Sequence, residues 1–373
     1  MKHNWEYKQL GDICDKGSSN LMQKNLEIID DGFEVFGASG CLGKIDFYQQ
    51  EAPYVGIVKD GSGVGRCNLY PAKSSLLGTM QYILAKNCVT NEFLCYLIQS
   101  LNLSKYVNGA AIPHIYFRDY KKEIVPVPPL EEQTKIVAEL NKINETIEDC
   151  RELLRNLDAL AQSLFYDFFG DPITNPKGWE MKHFKEILYK IGSGATPKGG
   201  KQSYQGDNIS LIRSLNVYNT YFKYDDLAKI NANQAYELRN VEVQFDDVLL
   251  NITGASVARC FIVPKDTLPA RVNQHVAILR PNNKFIRPKF LHRLIITPSF
   301  QNFLIGTARG KSATREALPK ATLEMIKIPV PPISLQEQFA ARIEQIEEQK
   351  KAVEQTIAEL QTLLDSRMDY WFN

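Results

Sequence analysis

Residues able to do chemistry are present, but their spacing does not assemble a catalytic centre. Gly194-Ala195-Thr196-Pro197-Lys198-Gly199-Gly200-Lys201-Gln202 imitates a phosphate-binding loop. That motif needs lysine directly after its second glycine and then Ser or Thr, so that backbone N–H groups and the ammonium converge on one phosphate. Here the lysine comes one place late, and the segment reads as a flexible basic loop. His3, His114, His183, His275 and His292 lie apart, with no H-E-x-x-H and no G-x-S-x-G elbow. Asp225-Asp226 and Asp246-Asp247 are adjacent in sequence, as on loops and strand ends, which is poor spacing for a metal site. The Pro-Pro pairs follow Val127 and Val330 rather than Asn, so the motif that holds an extruded adenine is missing, and no glycine-rich dinucleotide fingerprint follows a clear strand. Seven scattered cysteines without C-x-x-C suit reduced, buried thiols. The expectation is a chain with no catalytic residue, metal or cofactor of its own.

Binding chemistry is better represented. Gly61-Ser62-Gly63-Val64-Gly65-Arg66-Cys67 and Gly254-Ala255-Ser256-Val257-Ala258-Arg259-Cys260 are matching turns, each following a β-rich run. Lys59, Ser62 and Arg66 in one, and Asn251, Thr253, Ser256 and Arg259 in the other, are candidate DNA contacts. Arginine can pair with guanine O6 and N7, and asparagine with adenine N6 and N7. A second group, Arg309, Lys311, Thr314 and Arg315, surrounds Gly310, and the corresponding part of the first half offers His114 and Arg118. The net charge of +1 conceals a segregation: residues 169–332 hold 23 Lys/Arg against 13 Asp/Glu, whereas 131–168 hold 4 against 9 and 333–373 hold 4 against 8. A basic segment suits phosphate contact, and acidic ones suit protein partners.

These groups must be positioned by a chain that is written twice. Pro126-Val127-Pro128-Pro129-Leu130 recurs as Pro329-Val330-Pro331-Pro332-Ile333, a shift of 203 residues that also carries Gln133 onto Gln336 and Phe169 onto Phe372. Upstream, Trp5 answers Trp179 and Glu92-Phe93-Leu94 answers Lys289-Phe290-Leu291, at smaller shifts. Each half reads as a mixed α/β unit, a Pro-Pro stop, then a helix. In the first helix apolar residues fall at heptad a and d positions: Ile136, Leu140, Ile143, Ile147, Cys150, Leu154, Leu157, Ala161, Leu164 and Phe168. The second gives Phe339, Ile343, Ile346, Lys350, Val353, Ile357, Leu360, Leu364, Arg367 and Trp371, with two polar interruptions. The expected architecture is two similar α/β units separated by an antiparallel two-helix coiled coil, with each helix on the order of 60 Å long. The divisions are 1–128 for the first unit, 129–168 for the central helix, 169–331 for the second unit and 332–373 for the C-terminal helix. With 44% hydrophobic and 23% charged residues, no run of eighteen apolar residues and no secretory pattern at the start, the chain is expected to be cytoplasmic and not membrane-bound.

This arrangement resembles the specificity subunit of type I restriction-modification systems. The resemblance covers essentially the whole chain. It is carried chiefly by Ile124-Val125-Pro126-Val127-Pro128-Pro129-Leu130-Glu131-Glu132-Gln133 and Ile328-Pro329-Val330-Pro331-Pro332-Ile333-Ser334-Leu335-Gln336, with Val35-Phe36-Gly37-Ala38-Ser39-Gly40 in support. It implies two target-recognition domains that read a bipartite, asymmetric site in double-stranded DNA. It further implies two docked methyltransferase subunits using S-adenosylmethionine, and a restriction/translocase subunit using ATP and Mg that can join them. A coiled-coil adaptor for protein partners without DNA specificity is the competing reading, and salt-dependent DNA affinity would separate the two.

Overall fold

The computed structural model describes every residue except 1–3, 110–111, 198–203, 205, 207 and 311–316. The chain divides into two compact units, Met1–Glu152 with Glu354–Asn373, and Leu153–Val353. Each contains one α/β repeat and segments of both long helices.

In the first unit an antiparallel sheet runs in the order Cys14–Ser18, Met80–Ala85, Tyr54–Val58, Cys67–Tyr70. A second sheet joins Gly40–Ile45, Phe33–Gly37 and Ser75–Leu76, the last two parallel. The second unit repeats both. Its antiparallel sheet is Leu188–Ser193, Val276–Pro281, Val248–Asn251, Cys260–Ile262, and its other sheet pairs Ile209–Ile212 in parallel with Ala270–Val272. The strands Tyr54–Val58 and Val248–Asn251 are buried at every position, which explains their unbroken apolar runs where a half-exposed strand would alternate.

The helix after each central hairpin starts as its sequence dictates. Thr90 caps Asn91–Ser100 by accepting from the Phe93 N–H at 3.2 Å, and Pro288 occupies the first turn of Pro288–Ile295, where a missing N–H costs nothing. In each unit the first strand closes on the strand before the Pro-Pro stop: Glu6–Gln9 on Ile124–Val127, and Met181–His183 on Lys327–Pro329.

The long helices are Leu130–Phe169 and Ile333–Phe372. A buried glutamine fastens the start of each to its own unit. Gln133 Nε2 donates to the Cys88 and Pro128 carbonyls, both at 2.8 Å, and its Oε1 accepts from the Thr90 N–H at 2.9 Å. Gln336 makes the same three bonds to the Phe285 and Pro331 carbonyls and the Arg287 N–H. Both side chains are fully buried with their amides satisfied, a requirement for polar groups removed from water.

Helix pairing is antiparallel within each unit. Near one end of the first unit Glu139 receives hydrogen bonds from Arg367 and from Trp371 Nε1; in the second, Lys350 Nζ donates to Asp158 at 2.6 Å while Phe168 and Phe169 meet Phe339. Ile136, Leu140, Ile143, Ile147, Leu157, Phe339, Ile343 and Ile346 are buried, whereas Leu154, Ile357, Leu360 and Leu364 are half-buried. Two sequence expectations change. Lys350 and Arg367 do not break the seam but cross it as ion pairs. The central helix also ends its heptad pattern at Ala161: Phe165 and Phe169, spaced four apart, are buried against Phe290 and Phe339, because the last turns pack on the globular unit as well as on the other helix.

Candidate nucleic-acid interface

The two glycine-rich turns are one structure built twice. In the first, the Val58 N–H donates to the Arg66 carbonyl at 2.9 Å, Gly65 N–H to Val58 at 2.8 Å and Arg66 N–H to Gly63 at 3.0 Å. In the second, the Asn251 N–H donates to Arg259 at 2.8 Å, Ala258 N–H to Asn251 at 2.9 Å and Arg259 N–H to Ser256 at 3.2 Å. Gly61 and Gly254 open the turns at φ of 85° and 70°, and Gly65 and Ala258 close them at 88° and 71°. Ala258 therefore holds a left-handed conformation that disfavours a side chain, and the surrounding bonds enforce it.

Two further segments converge on each turn. The Lys59 N–H donates to the Thr79 carbonyl and the Ile115 N–H to the Lys59 carbonyl; their counterparts are Ile252 to His275 and Leu318 to Ile252. Asp60 bridges His114, and Thr253 bridges Ala317. The first unit thus brings together Lys59, Ser62, Arg66 and His114. His114 Nδ1 lies 3.2 Å from the Ile112 carbonyl and its ring stands edge-on to Tyr116, and the Arg118 guanidinium lies 4.6 Å over that same Tyr116 ring. Beside the turn lies a cavity of about 520 Å³ lined by apolar groups including Leu21, Met22, Leu42 and Leu77, with Ser62, Arg66 and Thr79 at its polar side.

The arginines differ, and the reason is residue 63. A Cβ there would come within 2.2 Å of the Arg66 guanidinium, so glycine lets that side chain fold back onto its own turn. Arg66 Nε donates to the Gly63 carbonyl at 3.3 Å and Nη2 to Ala38 at 2.9 Å. The Nε–Nη2 edge of the fork, one that a bidentate guanine contact would use, is therefore engaged by carbonyls. In the second unit Ser256 stands at that place, and the half-buried Arg259 lies 4.4 Å over the Tyr218 ring, which stacks on Tyr221 at 4.5 Å. Tyr218 and Tyr221 tip a small hairpin closed by the Val217–Phe222 bridge, and neither was singled out from sequence.

Asn251 is a correction. It is fully buried, and its Nδ2 donates to the Ser214 carbonyl at 2.9 Å and the Val217 carbonyl at 3.4 Å, so it anchors the loop that precedes the tyrosine hairpin and does not face a base. Thr253 is half-buried with Oγ1 2.5 Å from His275 Nδ1, and Ser256 is half-buried in the turn. Arg309 ends the helix Pro298–Arg309, next to Gly310 at φ 48°. Lys311, Thr314 and Arg315 lie outside the described residues, as do Lys198 to Gln202 of the basic loop. Asp247, considered for metal chemistry, is fully buried and accepts two bonds from Arg280 at 2.8 Å each. Among the described residues Cys14, Cys67, Cys95 and Cys260 are buried, but Cys41 is exposed.

Beneath the second turn, His292 is buried, with Nε2 3.0 Å from the Asn219 carbonyl and 3.2 Å from that of Cys260. Burial, aided by the neighbouring Arg293 charge, pulls its pKa down to about 3. The neutral ring therefore donates to those carbonyls and ties the tyrosine hairpin to the turn. An unfolded histidine takes a proton below about pH 6.5, and this folded one does not. Its contribution is thus fully present above that pH and is lost as the pH falls toward 3. Stability of the second unit should fall by up to about 1.4 kcal/mol for each pH unit below 6.5 on this account. Thermal melts between pH 7 and pH 5 should show a smaller decline in His292→Asn than in the wild type; parallel declines would assign the acid sensitivity elsewhere.

A tandem α/β protein with two equivalent surface turns and paired long helices is the class defined by this geometry. The family model described as type I restriction modification DNA specificity domain matches residues 2–157 and 176–362, and the chain belongs to that family. It is similar to the type I restriction enzyme EcoBI specificity subunit of Escherichia coli, 23% identical over 262 residues, covering 64% of this chain and 54% of that protein. It is 29% identical over 150 residues to the MjaIX specificity subunit of Methanocaldococcus jannaschii, covering 35% of this chain and 34% of that one. The match to the putative MjaX specificity subunit of the same organism is 22% over 312 residues, or 76% and 69%. The first two matches thus span about half and a third of those relatives' lengths. Among solved structures, the type I restriction-modification system S subunit from M. genitalium shares the fold with TM-score 0.60 at 15% identity, covering 99% of this chain and 96% of that one. A chain solved in work on complex assembly and conformational transition of the type I R-M system superposes with TM-score 0.56 at 19% identity, covering 98% and 96%.

Proposed function

We propose that this chain is the non-catalytic DNA-reading subunit of a type I restriction-modification complex in the cytoplasm. Its target-recognition domains, 1–128 and 169–331, each read one half of an asymmetric two-part site in double-stranded DNA. The helices at 129–168 and 332–373 carry two methyltransferase subunits and, where one is present, a restriction/translocase subunit. S-adenosylmethionine, ATP and Mg belong to those partners, and this chain contributes position. The observation that carries the reading is the duplicated turn. The backbone bonds are the same in both units, while the groups displayed differ: Asp60, Gly63 and Gly78-Thr79 in one, Thr253, Ser256 and Gln274-His275 in the other. A common scaffold with unlike side chains is what reading two unlike half-sites requires.

Binding of the chain in complex with its methyltransferase partner to a mixed-sequence duplex tests this against the adaptor reading. With six or more phosphates neutralised, affinity should drop on the order of 10³-fold between about 50 mM and about 200 mM salt. DNA affinity that is absent, or indifferent to salt, would establish the adaptor instead.

A further inference from the structure

The second unit carries an amide whose orientation is fixed before any ligand arrives. Gln274 and His275 form a two-residue turn between the strands Ala270–Val272 and Val276–Pro281. Buried Asn273 holds that turn: its Oδ1 accepts from the His275 N–H at 3.0 Å, and its own N–H donates to Ile212 at 3.1 Å. The His275 carbonyl accepts from the Ile252 N–H at 3.0 Å, which places the turn directly beside Thr253 and the Gly254–Arg259 turn.

Gln274 is exposed, yet its side chain is constrained at both ends. Its Oε1 accepts from the Thr196 hydroxyl. Its Nε2, which can only donate, lies 3.1 Å from His275 Nε2, so that ring nitrogen accepts and the ring's proton sits on Nδ1, which donates to Thr253 Oγ1 at 2.5 Å. The chain of four side chains satisfies one lone pair of Oε1 and one hydrogen of Nε2. It leaves the other lone pair and the other hydrogen, one acceptor and one donor in a single rigid plane. Adenine presents the complementary pair in the major groove, a donor at N6 and an acceptor at N7. Fixing the amide beforehand removes the rotamer freedom that an exposed glutamine would lose on binding.

We propose that Gln274 reads an adenine in the half-site of the second unit, with Thr196 and His275 as the positioning residues that hold its amide. The inference rests on the DNA-reading role argued above and adds the base and the residue. The first unit has the same turn: the Met80 N–H donates to Leu77 as Val276 does to Asn273, and Leu77 N–H donates to Phe36 as Asn273 does to Ile212. Its two residues there are Gly78 and Thr79, so no amide exists at that place. Adenine reading through this turn is therefore a property of one half-site.

The test is to sequence the methylated sites made by the complete methyltransferase complex carrying wild-type chain, Gln274→Gly, Gln274→Glu or Thr196→Val. Glycine is the residue that the equivalent turn of the first unit accommodates, so that variant is expected to fold. For Gln274→Gly, discrimination at one A·T pair of one half-site should fall on the order of tenfold to a hundredfold, with every other position unchanged. Gln274→Glu, which only accepts, should shift that position toward cytosine, whose N4 only donates. Thr196→Val should weaken discrimination at the same pair and nowhere else. An unchanged recognition sequence in Gln274→Gly overturns the proposal, and so does a loss spread over the whole half-site at unchanged melting temperature. A wild-type complex that methylates no two-part sequence would instead overturn the DNA-reading role itself.

Discussion

Replacing Arg259 with alanine is expected to slow methylation of the cognate site on the order of tenfold to a hundredfold, through one base pair of the second half-site. The Arg259 guanidinium lies 4.4 Å over the Tyr218 ring, itself stacked on Tyr221, and its N–H groups engage no protein acceptor among the described residues. A guanidinium held against an aromatic face, with its donors unpaired in the protein, can match guanine O6 and N7, a contact worth about 1–3 kcal/mol. Lysine should not restore activity, because an ammonium neither stacks flat nor donates along two parallel lines. Arg66→Ala should behave differently. With Nε and Nη2 bound to the Gly63 and Ala38 carbonyls, its expected contact is with phosphate. Its loss should weaken binding evenly across sequences and lower the salt slope by about one. Single-turnover methylation of cognate and single-substituted duplexes separates the two. Equal rates for Arg259→Lys and wild type would reduce Arg259 to a point charge, and full activity with both arginines removed would take the turns out of the interface.

Asp247→Ala is expected to destabilise the second unit by about 3–5 kcal/mol, enough to consume much of a domain's stability. The carboxylate is fully buried, receives Arg280 Nε and Nη2 at 2.8 Å each, and accepts from the Gln244 N–H at 2.7 Å. Removing it leaves a guanidinium that is one-fifth exposed with the Glu242 carbonyl, at 3.0 Å, in place of its counter-charge, and leaves the Gln244 N–H unpaired, which is the costly way to break a buried pair. Hydrogen exchange in the intact chain should show the strands Val248–Asn251 and Val276–Pro281 losing protection while Tyr54–Val58 of the first unit retains it. Unchanged protection in both would mean that water reaches the site and screens the pair.

The repeat, the long helices and the paired turns were legible because each rests on a local pattern: a constant 203-residue shift, heptad spacing, and glycines where the turn needs positive φ. What escaped depends on partners distant in sequence. Asn251 reads as a base-facing amide at a strand end until the loop at Ser214–Val217, some forty residues earlier, closes over it. Lys350 and Arg367 read as flaws in an apolar seam because their partners, Asp158 and Glu139, lie on the other helix. Gln133 and Gln336 aligned perfectly between the halves, yet their clasp on backbone carbonyls and N–H groups involves residues more than forty positions away. A signal for Gln274-His275 was available: extending the repeat between the matched turns and the matched short helices sets that pair against Gly78-Thr79, an unlike pair within a like frame. The tyrosine hairpin left no such trace, since the first half has no counterpart to it in sequence.

If the two units read independently, exchanging one of them changes one half-site alone. Residues 1–125 are replaced by the corresponding segment of a relative, the chain is expressed with its methyltransferase partner, and the methylated sites are sequenced genome-wide. One half of the recognised sequence is expected to change to that of the donor, while the half assigned to Arg259 and Gln274 is retained. If both halves changed together, or if neither did, the units would not be reading separately.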